Sequence, residues 1–208
     1  AAFVQKFPEK YIHGIQNENS SGDYLNNTKN CHHCFNVQNS QDSKFVYNSR
    51  SVRNVYDMTV FGSLKGADFC YENHEIGQSV RNIIFSDQVF EGCSNVIYSK
   101  LCCLSCNNLF GCVSLKHASY CIFNKQYSKE EYEKLVPKII DHMKKTGEWG
   151  EFFPASVSPF GYNETIAPLY YPLNKNEALK KGFNWSDYEQ PKPQAKQVIP
   201  GKSVPEEI

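Results

Sequence analysis

The stretch from Gly22 to Asn124 repeats itself, and a repeat constrains a fold more tightly than any other sequence feature. Two short signatures recur in it. One is a small residue, any residue, then an aromatic: Gly22-Asp23-Tyr24, Ser43-Lys44-Phe45, Ala67-Asp68-Phe69 and Ala118-Ser119-Tyr120. The other is Asn followed by an aliphatic: Asn36-Val37, Asn54-Val55, Asn82-Ile83, Asn95-Val96 and Asn108-Leu109. In order, the anchors fall at 24, 36, 45, 54, 69, 82, 95, 108 and 120. If Asn95 takes a slot of the first kind, the two kinds alternate, and one full coil takes about 18 to 28 residues.

That period predicts a mainly β fold, a right-handed parallel β-solenoid with two or three short strands per coil. The strands would be Phe45-Val46-Tyr47, Ile83-Ile84-Phe85, Val96-Ile97-Tyr98 and Cys121-Ile122-Phe123, whose residues favour a pleated, half-buried surface. Asn, Ser, Gly and Asp fill the gaps, where the chain must turn and accept φ > 0. Stacked coils would also align Asn and Cys in ladders. An antiparallel sandwich with irregular turns is the competing architecture, and hairpins of mixed length would not keep this spacing.

Residues 1–20 carry Phe3, Val4, Phe7 and Tyr11 at helix-like spacing, broken by Pro8. They read as the end of a preceding helix, an N-terminal cap over the open sheet edge of a solenoid spanning 21–124. Residues 125–147 hold the clearest helix. Ser128 and Glu131 form a capping box, and Tyr127 and Tyr132 stand where a hydrophobic staple would. Tyr132, Leu135, Val136, Ile139, Ile140 and Met143 form one apolar stripe, Gly147 can end the helix, and Pro137 should kink or split it. This element is expected to cap the last coil or lie on its flank. Residues 148–183 read as an extended aromatic strap, with Trp149, Phe152, Phe153, Phe160, Tyr162, Tyr170 and Tyr171 between prolines. The strap should run back along the solenoid and bury its rings there. Asn174 caps a short helix with Glu177 at its third position, and 184–208 read as a polar, proline-spaced linker tail.

Charge excludes more than it proposes. The chain carries 22 basic and 22 acidic residues, and residues 1–124 hold 10 of each, so there is no basic footprint for nucleic acid or an anionic membrane. There is no run of 18 apolar residues and no secretory leader, and both ends look cut from something longer. The nine cysteines all lie within the repeat. An odd number without a leader argues for reduced thiols in a cytoplasmic setting, where they line the coil interior as small hydrophobes.

Chemistry-bearing motifs are few. Cys31-His32-His33-Cys34 is the sharpest by residue type, and Cys103-x-x-Cys106 supplies a second Cys pair. Together they would make a tetrahedral zinc site, yet 68 residues separate Cys34 from Cys103. At about 4.8 Å per coil that is about 14 Å of stacking, against Zn–S bonds of about 2.3 Å. A local site from Cys102, Cys103, Cys106 and Cys112 is easier. Core cysteine ladders remain the favoured reading, and no cofactor is expected. His117 or His74 could serve a cysteine nucleophile as base. Asp68, Glu72, Glu75, Asp87 and Glu91 could act as acid and base on a polysaccharide. Trp149 and its neighbours could stack on sugars. Nothing fixes the geometry of these, and no catalytic residue is assigned. Glycine loops of the Walker or dinucleotide type are absent.

Several long motifs carry a resemblance. They are Asn17-Glu18-Asn19-Ser20-Ser21-Gly22-Asp23-Tyr24, Asn107-Asn108-Leu109-Phe110-Gly111-Cys112-Val113 and Tyr120-Cys121-Ile122-Phe123-Asn124-Lys125-Gln126-Tyr127. The later runs from His142 to Pro154 and from Ser158 to Thr165 belong with them. The chain resembles the central region of Cys-rich, zinc-ribbon-flanked solenoid proteins of candidate phyla radiation (Parcubacteria-like) bacteria. The resemblance implies a solenoid centre, flanking zinc modules that this chain does not contain, and a Pro200–Ile208 segment leading into the next module. It adds no catalytic residue. The expected function is a non-enzymatic interaction scaffold that docks protein partners or flanking modules. A nucleic-acid-associated protein acting through the flanking zinc modules is one alternative, and a polysaccharide-binding or polysaccharide-cleaving solenoid is another.

Overall fold

A computed structural model describes residues 10–59 and 65–188. The repeating unit is three residues long. Leu25, Thr28, Cys31 and Cys34 are buried, and Val37, Ser40, Ser43 and Val46 repeat them one coil later. The residue before each inward one is left-handed: Tyr24, Asn27, Asn30, His33 and Asn36 have φ of 54°, 52°, 51°, 53° and 55°. Each triplet therefore runs inward, outward, left-handed, and the left-handed step turns the chain. Four triplets close one turn, since Leu25 pairs with Val37 twelve residues on.

Side chains other than Gly, Asn and Asp resist this conformation, at about 1–2 kcal/mol per residue. Asn and Asp hydrogen-bond locally and tolerate it, and many left-handed positions carry them, among them Asn27, Asn30, Asn36, Asn39, Asp42, Asn48, Asn54, Asn82, Asn95 and Asn108. The aromatic exceptions Tyr24, Phe45, Phe69, Phe85, Tyr98, Tyr120 and Phe123 must offset that cost through packing.

Among the described residues ten strands follow in order: β1 (Gly14–Ile15), β2 (Gly22–His32), β3 (Cys34–Arg50), β4 (Val52–Thr59), β5 (Ala67–Ile76), β6 (Val80–Val89), β7 (Ser94–Ile97), β8 (Asn107–Phe110), β9 (Ser119–Ile122) and β10 (Lys125–Gln126). Consecutive strands pair in parallel through β9, and β10 folds back antiparallel on it. The fold is a parallel β-solenoid of about eight turns, marked on one inward column by Cys31, Ser43, Val55, Cys70, Ile83, Val96, Leu109 and Cys121.

The expected coil of 18 to 28 residues is corrected. Leu25 to Val37 is twelve residues, Ile83 to Val96 thirteen, Leu109 to Cys121 twelve, and Val55 to Cys70 fifteen. The two signatures are one triplet seen in different frames. Small-x-aromatic is an inward residue followed by its outward and left-handed partners, and Asn-aliphatic is a left-handed residue followed by the next inward one. Asn82, Asn95 and Asn108 are stacked, not alternating.

Each coil has four outer sides. In the first regular coil they carry Asn26-Asn27, Lys29-Asn30, His32-His33 and Phe35-Asn36. Among the described coils, extra residues enter on the first side: Gly77–Ser79, Phe90–Gly92 and Cys103–Ser105 hold three residues where Asn26-Asn27 holds two.

Inward Ser and Asn residues have a fixed task. Ser40 Oγ donates to the Gln38 carbonyl at 2.7 Å and accepts the Val52 amide of the next coil at 3.1 Å. Ser43 does the same with Gln41 and Val55, and Ser86 with Ile84 and Ser99. Buried Asn73 accepts the Ser86 amide and donates to the Ile83 carbonyl. Burying an amide without a partner would cost about 1–3 kcal/mol, so polar core residues here support the stacking.

Residues 12–20 belong to the first coil, not to a helix. Gly14 and Ile15 pair in parallel with Leu25 and Asn26, and Ile12 packs on the core. The Phe3, Val4 and Phe7 part of the expected N-terminal helix lies outside the described residues.

Helix α1 (Lys129–Thr146) is as its sequence reads. Glu131 N donates to Ser128 Oγ, the Ser128 amide donates to Glu131 Oε2, and Gly147 ends the helix at φ 76°. Pro137 lies inside one continuous element rather than splitting it. Tyr132 and Val136 are buried with Phe110 and Ile122, and Leu135, Ile139 and Met143 pack around them. Phe110 and Ile122 are outward residues of the third side, so α1 lies on the flank of the last coils.

The chain divides into two compact units, 1–153 and 154–208. The second is not one extended segment. Its described part holds single turns at Ala155–Val157 and Tyr162–Glu164 and the short helices α2 (Ala167–Tyr170) and α3 (Lys175–Lys180). Asn174 and Glu177 form the expected capping box of α3. Within this unit Tyr162 packs on Phe183 with centroids 4.9 Å apart, while Phe160, Tyr170 and Tyr171 are exposed. Part of the linker tail, from residue 189 on, lies outside the described residues.

Candidate functional site

Alternation of inward and outward residues dismantles the sharpest motif. Cys31 and Cys34 point inward and are fully buried, whereas His32 and His33 point outward. Their side chains cannot meet on one ion. Cys102, Cys106 and Cys112 are inward and fully buried, and Cys103 is outward. They occupy different inward columns, and among the described residues no three His, Cys, Asp or Glu side chains are grouped to hold a metal.

The thiols instead follow the serine pattern. Cys31, Cys34, Cys102 and Cys112 each donate to the carbonyl two residues back at 3.5 Å. Backbone amides one coil on bond to the sulfurs: those of Ser43, Val46, Ile83 and Leu115 serve Cys31, Cys34, Cys70 and Cys102. Burial pushes the Cys70 and Cys93 thiols up to about 12 and Cys102 up to about 11, and it raises Cys112 and Cys121 as well. Cys31 is raised first by the sulfur of Cys34 and then by burial. The hydrogen bond with Cys31 lowers Cys34, which is fully buried; the raised thiols are protonated core groups, the opposite of an activated nucleophile.

The candidate bases and acids are spread over all four sides, with His74, Glu75 and Asp87 together on the fourth. His74 is outward and bonds Asp87 at 2.9 Å, while neighbouring Cys70 is inward. His117 is outward and exposed. Asp68 lies on the second side, Glu72 on the third, Glu75 and Asp87 on the fourth and Glu91 on the first. Asp87 bridges His74 and Lys100, at 2.9 and 2.7 Å, and Glu75 accepts from Gln88 at 2.8 Å. Asp68, Glu75 and Asp87 are thus each engaged by a residue of an adjacent coil.

The outer sides are where the sequence carries information. The second side bears amide ladders: Asn19 to Asn30, Asn30 to Asp42 and Asn82 to Asn95, at 2.9, 2.9 and 2.8 Å. The third side is aromatic. His33 stacks on Phe45, Phe45 meets Tyr56 edge-on, Tyr56 stacks on Tyr71, Tyr71 meets Phe85 and Phe85 stacks on Tyr98, with centroids 4.8–5.5 Å apart. Lys44 Nζ sits 4.7 Å from the Phe45 centroid. Trp149 meets Phe85 and Tyr98 edge-on at 5.9 Å, and Phe153 meets Tyr98 at 6.2 Å. Tyr98 Oη donates to the Glu148 carbonyl and accepts from the Gly150 amide. The protein's own chain thus covers the C-terminal half of this side, and Tyr56 and Tyr71 remain 41% and 38% exposed.

Sequence reading missed this side because its residues stand eleven to fifteen apart. Spacing His33, Phe45, Phe85 and Tyr98 by the true coil length would have found it. No family model matches the chain, and a search of curated proteins finds no significant match. Among the described residues no helix is long and apolar enough to cross a membrane.

Proposed function

We propose that this chain is a non-enzymatic interaction scaffold, the central module of a larger zinc-ribbon protein, and that the uncovered half of its third side is the docking surface. One observation carries the reading: a continuous aromatic side that the chain covers only in part. Where α1 and Trp149 lie on it, Phe85 and Phe110 are 2% exposed. Around Tyr56 and Tyr71 the same surface stays half-open. Such rings are typical anchors at protein interfaces. The solenoid is right-handed, α1 caps its C-terminal coils from their flank, and the Trp149–Phe153 stretch begins the strap. Contacts of α1 with β9 and of Trp149 with Tyr98 support those two roles. Buried free thiols favour a reducing, cytoplasmic setting.

The reading is tested with a photo-crosslinking residue placed at 56 or 71, and at 38 or 116 on the first side, in extracts of the source organism. A defined protein captured at 56 and 71 and not at 38 or 116 is expected. Equal capture on both sides, or none, overturns it. The nucleic-acid alternative predicts salt-dependent binding of nucleic acid by the full-length protein and none by this chain.

A further inference from the structure

A groove of about 530 Å³ runs along the solenoid between the first and second sides. One wall is the left-handed column Asn27, Asn39 and Ser51, and the other is the outward column Lys29, Gln41 and Arg53. Stacking repeats this pair of walls over the coils of Asn27, Asn39 and Ser51, so hydrogen-bonding groups face each other there in rungs about 4.8 Å apart. Asn27 Nδ2 donates to Asn39 Oδ1 at 2.9 Å, and the Gln41 amide makes no hydrogen bond to another described side chain.

The chemistry of the rungs selects an occupant. Lys29 is paired with Glu18 at 3.0 Å and Arg53 with Asp68 at 3.1 Å, and Lys65, the third cation of the lining, is not free either. An anionic polymer would have to break both pairs. An extended peptide rises about 3.3 Å per residue and falls out of step with rungs at about 4.8 Å. Amides and hydroxyls that both donate and accept match groups that do the same, and hydroxyls on a sugar ring are such groups. A pyranose chain advances by close to one rung per ring.

We infer that this groove binds a linear, uncharged glycan, one sugar per coil. Among the described residues no aromatic ring lines it, so recognition rests on hydrogen bonds and affinity grows with the number of rungs filled. The site is separate from the aromatic third side, and its failure would leave the scaffold reading standing.

The test is a titration of the whole chain, followed by NMR of the side-chain amides, with neutral tri- and hexasaccharides of the cello, manno, xylo and chito series. A heparin hexasaccharide is the anionic comparison. At least one neutral hexasaccharide should shift the Asn27, Asn39 and Gln41 amides and bind more tightly than its trisaccharide. Gln41→Leu should weaken it about two- to tenfold, the worth of one hydrogen bond. Gln38→Leu, an outward change on the first side away from the groove, should leave binding unchanged and reports on folding. The inference is overturned if no neutral hexasaccharide binds, if only the heparin probe binds, or if the shifts fall on Trp149 instead.

Discussion

The backbone amide of Cys112 donates to Ser99 Oγ one coil below at 3.0 Å, and Ser99 Oγ donates to the Ile97 carbonyl at 3.0 Å. One buried hydroxyl thus joins two coils and leaves no polar atom idle. Cys112 takes the same place for the following coil, donating to the Phe110 carbonyl at 3.5 Å and receiving the Asn124 amide. Serine and cysteine are alternatives for a single structural task.

Ser99→Ala should therefore cost about 1–3 kcal/mol, because it leaves the Cys112 amide buried without its acceptor. Ser99→Cys should cost less, since a thiol keeps both roles weakly. Urea unfolding of the two variants measures the difference. Equal losses would mean that volume, not the hydrogen bond, sets the cost.

Thiol reactivity should divide the nine cysteines. Eight are buried, with burial raising those of Cys70 and Cys93 to about 12, while Cys103 is partly exposed. Alkylation of the native protein at pH 8 should modify Cys103 alone within minutes, and urea should release the other eight. Mass spectrometry of timed samples reads the order. Rapid native modification of Cys31 or Cys34 would contradict an inward, packed pair.

The same alternation explains what could be read in advance and what could not. The Ser128–Glu131 box and the Asn174–Glu177 box are local, so spacing in the sequence sufficed to find both helices. A parallel solenoid was legible because two short signatures recur from Gly22 to Asn124, though Asn82, Asn95 and Asn108 stack in one column instead of alternating. Coil length was not, because inward positions hold Thr28, Ser40 and Cys31 as readily as Leu25, and no apolar period appears. Cys31-His32-His33-Cys34 looked like a ligand set because sequence does not show that a left-handed residue sits at every third place. The aromatic side and the amide-lined groove became visible only once residues eleven to fifteen apart were known to be neighbours.

Backbone handedness makes a prediction at Asn95, whose φ is 54° and whose side chain sits in an amide ladder with Asn82 and Asn108. Asn95→Gly keeps the conformation and loses the ladder bonds. Asn95→Val loses both, and a β-branched residue there carries an added penalty of about 1–2 kcal/mol. Thermal unfolding should rank wild type, then Gly, then Val, and Val as stable as Gly would argue against a left-handed residue at 95.

Tyr98 ties the last coils to the chain after α1, through Glu148 and Gly150 at 3.2 and 3.1 Å. Tyr98→Phe keeps the ring contacts with Phe85 and Trp149 and removes both bonds. Global stability should fall by about 1 kcal/mol. Hydrogen exchange should quicken at Trp149 and Gly150 more than at Val37 or Val55. Uniform quickening would show that the hydroxyl supports the whole solenoid rather than the docked segment.

Acid should weaken the second side through Asp68. Burial raises its carboxyl, but hydrogen bonds from Arg53 and Asn54 outweigh that and hold it below 3.8, its ordinary value. The native state therefore binds this proton more weakly than the unfolded chain does. Asp68 contributes stability above pH 3.8 that is lost as pH falls through the lower folded value. Asp68→Asn cannot lose what it never had. Its melting temperature should lie below that of wild type at pH 7, and the gap should narrow by pH 3. A gap of constant width across that range would mean that Asp68 acts through packing and not through its charge.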